Sequence, residues 1–153
     1  MAEVVLDVVV DAPPQAVWDL LFDWPRQGEW MLGTDVRVVA GDGASVGSRI
    51  EAWTGAGRLG FLDVFDVTRW EPPLRCDVQH VGAVVRGTGT FEVLPLPHGR
   101  SCFVWAESLD LPLGLLGRVG WPLVRPAFLL GVRRTLATFT ALVEDEHRRH
   151  GPR

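Results

Sequence analysis

The first thirty residues alternate in polarity and then change period, which predicts a strand followed by two short helices. Four aliphatic side chains share one parity of residues 4–11, and so one face of the predicted strand: Val4, Leu6, Val8 and Val10. Pro13 and Pro14 end this strand and suit the first turn of a helix, where a missing backbone N–H costs nothing. From Gln15 polar residues recur every four positions, as in a short helix buried on more than one side. A second short helical segment is predicted at residues 29–32.

Residues 35–110 have the pattern of strands separated by turns, with no helical period between them. Turns are predicted where glycine, proline and small polar residues cluster: residues 41–43, 55–57, 71–73, 81–83 and 95–99. Strands that follow one another directly form an antiparallel meander, and about six are expected here. Gly87 and Gly89 fall inside one of these strands, where glycine suggests a bulge or a bend.

The end of the chain changes to a helical period. With 100° per residue, one apolar stripe includes Phe128, Leu129, Val132 and Leu136. Pro126 should begin or kink this helix, so its regular part is predicted at residues 126–147. We therefore predict one domain at residues 1–148 and a frayed tail at residues 149–153. A curved seven-stranded antiparallel sheet covered by this helix makes the fold α+β.

Length and charge exclude several classes of protein. A chain of 153 residues forms one domain with a substantial core. It has 15 basic and 19 acidic residues, a formal charge of −4, and its arginines are scattered, so no basic stripe for a nucleic-acid backbone is expected. Every basic residue other than histidine is arginine, which suggests a GC-rich bacterial genome.

Two cysteines and the absence of an export signal indicate a cytoplasmic protein. Cys76 and Cys102 have no metal-ligand spacing, and we expect them to be buried thiols in a reducing compartment. The most apolar stretch, residues 109–132, is interrupted by charges, and its charge-free runs are shorter than the ~20 residues that span a bilayer. The chain also lacks the motifs of a nucleophile elbow, a phosphate loop, a dinucleotide site or a metal cluster, so we expect no cofactor and no metal.

Several segments together resemble the SRPBCC superfamily. The resemblance rests on residues 11–18 at the start of the first helix, Trp30 after the second, the turn at residues 70–73, Gly99 before a strand that contains Trp105, and residues 136–144. This superfamily includes START-type lipid-transfer domains, pollen-allergen-like proteins and bacterial polyketide cyclases and dehydratases. The resemblance implies a helix-grip fold, in which the long helix closes a cavity for an apolar or amphipathic small molecule against the sheet.

Candidate lining residues of that cavity come from the strands and from the helical stripe: Trp30, Trp53, Phe91, Trp105, Phe128, Leu129, Val132 and Leu136. Three polar residues are the catalytic candidates. His80 shares the parity of an apolar set and is either a base or ligand anchor, or a histidine at the cavity rim. Glu107 is either an inner carboxylate with a raised pKa or a solvated outer charge. Arg125 either clamps a ligand carboxylate or phosphate, or keeps its head group in water.

The stretch 111–130, from Leu111 to Leu130, is more apolar than a connecting segment requires. It is a lid over the cavity, a contact for self-association, a peripheral membrane surface, or a segment that folds back on the core. Three functions remain open. One is the binding or transport of a lipid, polyketide or aromatic molecule. The second is a polyketide cyclase, aromatase or dehydratase. The third is an interaction module that contacts a membrane or a protein through this stretch.

Overall fold

The computed structural model describes residues 2–110 and 113–151, and within them one sheet runs through the whole molecule. Its seven strands are β1 (Ala2–Val10), β2 (Thr34–Ala40), β3 (Arg49–Ala56), β4 (Leu59–Glu71), β5 (Arg75–Val81), β6 (Arg86–Leu96) and β7 (Arg100–Asp110). They are ordered β1-β7-β6-β5-β4-β3-β2, and all neighbours are antiparallel. The predicted α+β fold with a seven-stranded sheet is confirmed.

The helices also follow the predicted order, but several of their boundaries differ from the prediction. They are α1 (Pro14–Leu21), a 3-10 turn (Trp24–Glu29), a single 3-10 turn before β7 (Pro97–Gly99), and α2 (Leu115–His150). The second short helix precedes the predicted position, because Pro25 occupies its first turn, where no N–H is required. Both the start and the end of α2 also differ from the prediction.

The helix α2 begins about eleven residues before the predicted start, and its two prolines lie inside it. Pro122 and Pro126 are both exposed, so the carbonyl groups that lose an intrahelical partner can bind water instead. The helix also continues to His150, which makes Arg149 and His150 of the predicted frayed tail helical, whereas Pro152 and Arg153 lie outside the described residues.

Apolar residues at one end of the sheet fill the space beneath the C-terminal half of α2, residues 135–150. The buried positions of this half are Leu136, Phe139 and Val143. The Phe139 ring lies 4.9 Å from that of Trp30 and 5.5 Å from that of Phe103, measured between ring centroids. We call the sheet face that carries Phe103 the inner face. Rings pack closely here, so this end of the interior is a solid core.

Two polar contacts hold the C-terminal half of α2 against the start of the chain. Glu146 forms an ion pair with Arg26, and Glu144 Oε1 accepts a hydrogen bond of 2.9 Å from the backbone N–H of Asp11. Together with the ring packing, they fix this half of the helix.

The N-terminal half of α2, residues 115–134, has a different environment. The most apolar stretch of 18 residues in α2 contains no buried residue. By length and composition α2 could cross a membrane, so the expectation that no segment is apolar enough does not hold by this measure. Leu111 and Pro112, at the start of the predicted apolar stretch, lie outside the described residues.

Candidate functional site

Three titratable side chains from different strands meet on the inner face. His80 of β5 lies between two carboxylates: its Nδ1 is 2.9 Å from Asp63 Oδ1 of β4, and its Nε2 is 3.0 Å from Glu107 Oε2 of β7. Trp105 Nε1 donates a further hydrogen bond of 2.7 Å to Glu107 Oε1. We call these four residues the His80 network.

The strand register brings the network together. Phe65 of β4 pairs with His80, and Asp63 lies two residues away on the same face. Glu107 pairs with Gly89 of β6, and its side chain must cross that strand to reach His80. A Cβ atom on Gly89 would lie only 2.9 Å from Glu107 Oε2, so glycine leaves the space that the carboxylate occupies.

Of the bulge or bend expected at the β6 glycines, the bulge is absent, and Gly87 has a φ of 126°, which departs from a regular strand. The register of β6 with both neighbouring strands is unbroken from Arg86 onward. Glycine at position 89 serves the Glu107 side chain and leaves the course of the strand unchanged.

Burial and hydrogen bonding act in opposite directions on His80, whose side chain is 7% exposed. Burial alone would lower its pKa, but the hydrogen bonds to Asp63 and Glu107 outweigh burial and raise the pKa to about 9. At neutral pH His80 is thus an imidazolium that donates one N–H to each carboxylate. In this state it orients Glu107 and does not act as a base.

Of the charged side chains in the network, Glu107 is the one that faces α2. Its side chain is 10% exposed and borders a small cavity of about 10 Å³. The other lining residues of this cavity are Val4, Leu6, Trp105, Phe128 and Val132. This volume is at most that of one water molecule, so the cavity predicted at Trp105 and Phe128 is almost filled by side chains.

The larger space lies at the other end of the inner face, under the N-terminal half of α2. This opening, which we call the α2 groove, has a volume of about 350 Å³. Its lining residues are Phe61, Val84, Val85, Leu109, Asp110, Leu113, Gly117, Gly120, Trp121 and Val124. Asp110 is the one charged residue among them, and the groove is otherwise apolar.

The groove and the His80 network are close neighbours. Leu109 of the groove lies two residues from Glu107 on the same face of β7. The ring of Trp121, which lines the groove, packs 5.5 Å from the ring of Phe128, which lines the small cavity. This aromatic pair lies between the groove and the small cavity that Glu107 borders.

The structure places both His80 and Glu107 on the inner face, where they contact each other. His80 is buried in the network, and so it is not the rim or solvent histidine that was one of the two interpretations. Arg125 is exposed, and the interpretation of it as an inward ligand clamp is wrong. Its long side chain can reach water from a position near the edge of the helical stripe.

Seven of the eight predicted lining residues divide into three groups. Trp105, Phe128 and Val132 line the small cavity. Three others belong to the core or its edge rather than to an open space: Trp30 against Phe139, Phe91 among Phe22, Phe103 and Trp105, and the buried Leu136. Leu129, another member of the predicted stripe, is half-buried.

The expectation that Trp53 lines the cavity is wrong. It pairs with Leu62 on the outer face of the sheet, and its indole covers Gly55 and Gly60 there. The alternation of β3 left its facing undecided, and the burial of Ile50 and Ala52 shows that the other parity points inward.

Asp63, Gly89 and Trp121 are the functional candidates that sequence reasoning missed. The parity of β4 could have identified Asp63, because Phe65 and Val67 on the same parity are buried. Among residues 2–110 and 113–151, no three His, Cys, Asp or Glu side chains converge in a way that could hold a metal ion. In the network, each carboxylate is hydrogen-bonded to a different nitrogen of the imidazole ring.

A curved antiparallel sheet that packs around one long C-terminal helix defines the helix-grip class of domains. The sequence agrees with this class, since residues 1–144 match the family described as polyketide cyclase / dehydrase and lipid transport. The chain belongs to this family, and through it to the SRPBCC superfamily. No curated protein matches the sequence.

Solved structures support the same fold. TTHA0849 from Thermus thermophilus is 21% identical, with 93% of this chain and 97% of that chain covered and a TM-score of 0.77. A conserved protein from Geobacillus kaustophilus is 14% identical, with 94% and 96% covered and a TM-score of 0.75. The di-domain ARO/CYC BexL from the BE-7585A biosynthetic pathway is 21% identical, with 94% and 47% covered and a TM-score of 0.72. At these identities the likeness concerns the fold.

Proposed function

We propose that this protein binds a hydrophobic small molecule, such as a lipid, a polyketide or an aromatic compound, in the α2 groove. The observation that carries the proposal is the groove itself, about 350 Å³ of space with one charged residue in its lining. That volume lies at the lower end of the range of small-molecule sites. Membership of a family described by polyketide cyclisation, dehydration and lipid transport supports a ligand of this chemistry.

The apolar lining favours a ligand that gains most of its affinity from burial. Trp121 contributes the largest side chain, and Phe61 and Leu109 face it from the sheet. Apolar area removed from water stabilises a complex by roughly 25 cal/mol per Å². Loss of the indole should therefore weaken binding strongly, because burial is the main source of affinity.

A fluorescence titration with N-phenyl-1-naphthylamine tests the binding proposal. The Trp121→Ala variant should bind this probe about tenfold more weakly or worse than the parent chain. Trp53→Ala is the matched control, since it removes an indole from the outer face and should leave the affinity within about twofold. Equal affinities for the parent and the Trp121→Ala variant would contradict binding in the groove.

Polyketide cyclase or dehydratase chemistry is the second candidate function, and the His80 network is the observation that favours it. Glu107 is held by two donors, His80 and Trp105, and its carboxylate borders the apolar cavity. A carboxylate in this position can take a proton from the carbon between two ketones. The resulting enolate would attack a second carbonyl carbon. The oxygen of that carbonyl would then accept the proton from Glu107. For this the Trp121–Phe128 pair must open.

Proton exchange at the central carbon of an aryl 1,3-diketone in D₂O, followed by NMR, tests this second function separately. The parent chain should accelerate exchange above the buffer rate, and the Glu107→Gln variant should lose that acceleration while it still binds N-phenyl-1-naphthylamine. If the parent chain gives no acceleration, the enzymatic role is rejected and the binding role is unaffected.

A further inference from the structure

Among residues 2–110 and 113–151, nothing covers the apolar face that the N-terminal half of α2 turns away from the sheet. At 100° per residue, the side chains opposite Trp121 form what we call the outer stripe. Its members are Leu115, Leu116, Val119, Leu123 and Leu130, which are 76%, 75%, 67%, 83% and 66% exposed. Single exposed leucines are ordinary on protein surfaces, but a contiguous stripe of this kind marks a contact surface.

Charge is divided along the chain in a way that identifies what this surface contacts. Residues 1–110 carry eight arginines and sixteen carboxylates, a net charge of −8. Residues 111–143 carry four arginines, Arg118, Arg125, Arg133 and Arg134, and no carboxylate at all. The apolar stripe therefore lies in a cationic segment of an acidic protein.

Arg118 and Arg125 lie on one flank of the helix, between the outer stripe and the face that turns toward the groove. Both are exposed. An apolar stripe with arginines along its edge is the pattern of a helix that lies in a membrane interface, with its apolar side chains at the acyl boundary and its cations at the phosphate groups.

We propose that the N-terminal half of α2 docks on the surface of an anionic lipid bilayer through the outer stripe, with the arginines at the lipid head groups. Docking does not require a ligand in the α2 groove, so this inference goes beyond the proposed function. It also places the roof of the groove against the membrane.

Charge and geometry favour a bilayer surface over the two other arrangements. In an antiparallel twofold dimer through the outer stripe, the arginines on the flank of one copy would meet those of the other, which is repulsive. In a membrane-spanning arrangement, Arg118 and Arg125 would enter the hydrocarbon. The opposite face of the same helix half, at Trp121 and Val124, lines a groove shared with the sheet, and spanning would remove it from that position.

Vesicle sedimentation tests the proposal. The full chain should sediment with vesicles of phosphatidylcholine mixed with phosphatidylglycerol and much less with vesicles of phosphatidylcholine alone, and salt should release it. Leu123→Asp should reduce the bound fraction about tenfold or more, and the double variant Arg118→Gln, Arg125→Gln should remove the preference for anionic lipid. Val46→Asp is the matched control, since Val46 is 64% exposed in the turn before β3 and should sediment like the parent chain.

Four outcomes would overturn the proposal. They are no sedimentation with anionic vesicles, an equal loss in the Leu123→Asp and Val46→Asp variants, retention on the vesicles in alkaline carbonate, which indicates a spanning helix, and a dimer in light scattering that Leu123→Asp dissociates without any vesicle binding. The Leu123→Asp variant should still bind N-phenyl-1-naphthylamine, because Leu123 does not line the groove. That measurement separates failure of docking from failure of the proposed function.

Discussion

The two halves of α2 use similar apolar residues in opposite ways. In the C-terminal half, Phe139 and its neighbours are buried against Trp30 and Phe103, and the helix is part of a solid core. In the N-terminal half, one face lines a groove and the other, at Leu123, is in water. The comparison assigns stability to one half of the helix and leaves the other half available for the ligand and membrane contacts proposed above.

The difference also explains why the interior is not a uniform chamber. Where α2 packs closely on the sheet, aromatic rings fill the space between them. Toward Leu115 a volume of about 350 Å³ separates helix and sheet. The His80 network lies between these regions, next to Phe128 and Val132.

Shortening one side chain in each half of α2 should reveal the largest difference in stability between the two halves. Phe139→Ala leaves a cavity in the core and should lower the free energy of unfolding by about 3–5 kcal/mol. Leu123→Ala removes an exposed side chain and should change it by about 0.5 kcal/mol or less. Urea denaturation of both variants measures this directly. Equal losses would mean that the two halves do not differ in packing.

The next largest effect concerns His80, at the boundary between the two regions. Since its folded pKa of about 9 exceeds the unfolded value of 6.5, its stabilisation is fully present below about pH 6.5 and is lost as the pH rises through about 9. His80→Gln should cost on the order of 3 kcal/mol near neutral pH and should flatten the pH dependence over that interval.

Urea denaturation at a series of pH values gives this result. The control is His98→Asn, which changes an exposed histidine at a turn with φ of 66°, where asparagine is well tolerated. His98→Asn should keep the pH dependence of the parent chain. An unchanged slope in His80→Gln would show that the network does not hold a proton on the imidazole.

A smaller effect is expected where glycine makes room for Glu107. Gly89→Ala places a methyl group 2.9 Å from Glu107 Oε2 and from Val78 Cγ2. We expect a loss of about 1–3 kcal/mol, because the carboxylate must leave its position beside His80. The titration of His80, followed by NMR, should move toward its ordinary pKa in this variant. A stable protein with an unshifted His80 would contradict the role assigned to Gly89.

The smallest effect tests whether the exposed half of α2 is a helix in solution. Gly131 is exposed in α2, and a Cβ atom there would meet nothing within 4 Å. Gly131→Ala should therefore raise the free energy of unfolding by about 0.5–1 kcal/mol, since glycine is a poor helix residue. A thermal melt of the variant checks this. No gain would indicate that this half is not a regular helix without a membrane or ligand.

The periodic spacing of hydrophobic residues predicted more of the fold than of the candidate site. Alternation identified β1 and the meander, and the helical stripe identified Phe128, Val132 and Leu136, because each pattern reports on burial within a single element. The predicted start of α2 at Pro126 was wrong, because water can bind the carbonyl groups that lose a partner in an exposed helix. The alternation of β3 could not show which face of the sheet carries Trp53, because the facing depends on how β3 pairs with its neighbouring strand.

The same limit applies to the chemistry. His80 and Glu107 were recognised as separate candidates, but they are 27 residues apart in sequence and only the register of three strands makes them partners. Asp63 was not recognised, because an acidic residue in a strand is usually solvated.

Local periodicity was therefore sufficient for the order of strands and helices, and a family resemblance for the helix-grip arrangement. Contacts across strands decided the rest: which carboxylates hold the imidazolium, where glycine leaves space, and which half of α2 stands away from the sheet. These depend on register and on packing between distant segments, and hydrophobic spacing within one segment carries no information about either.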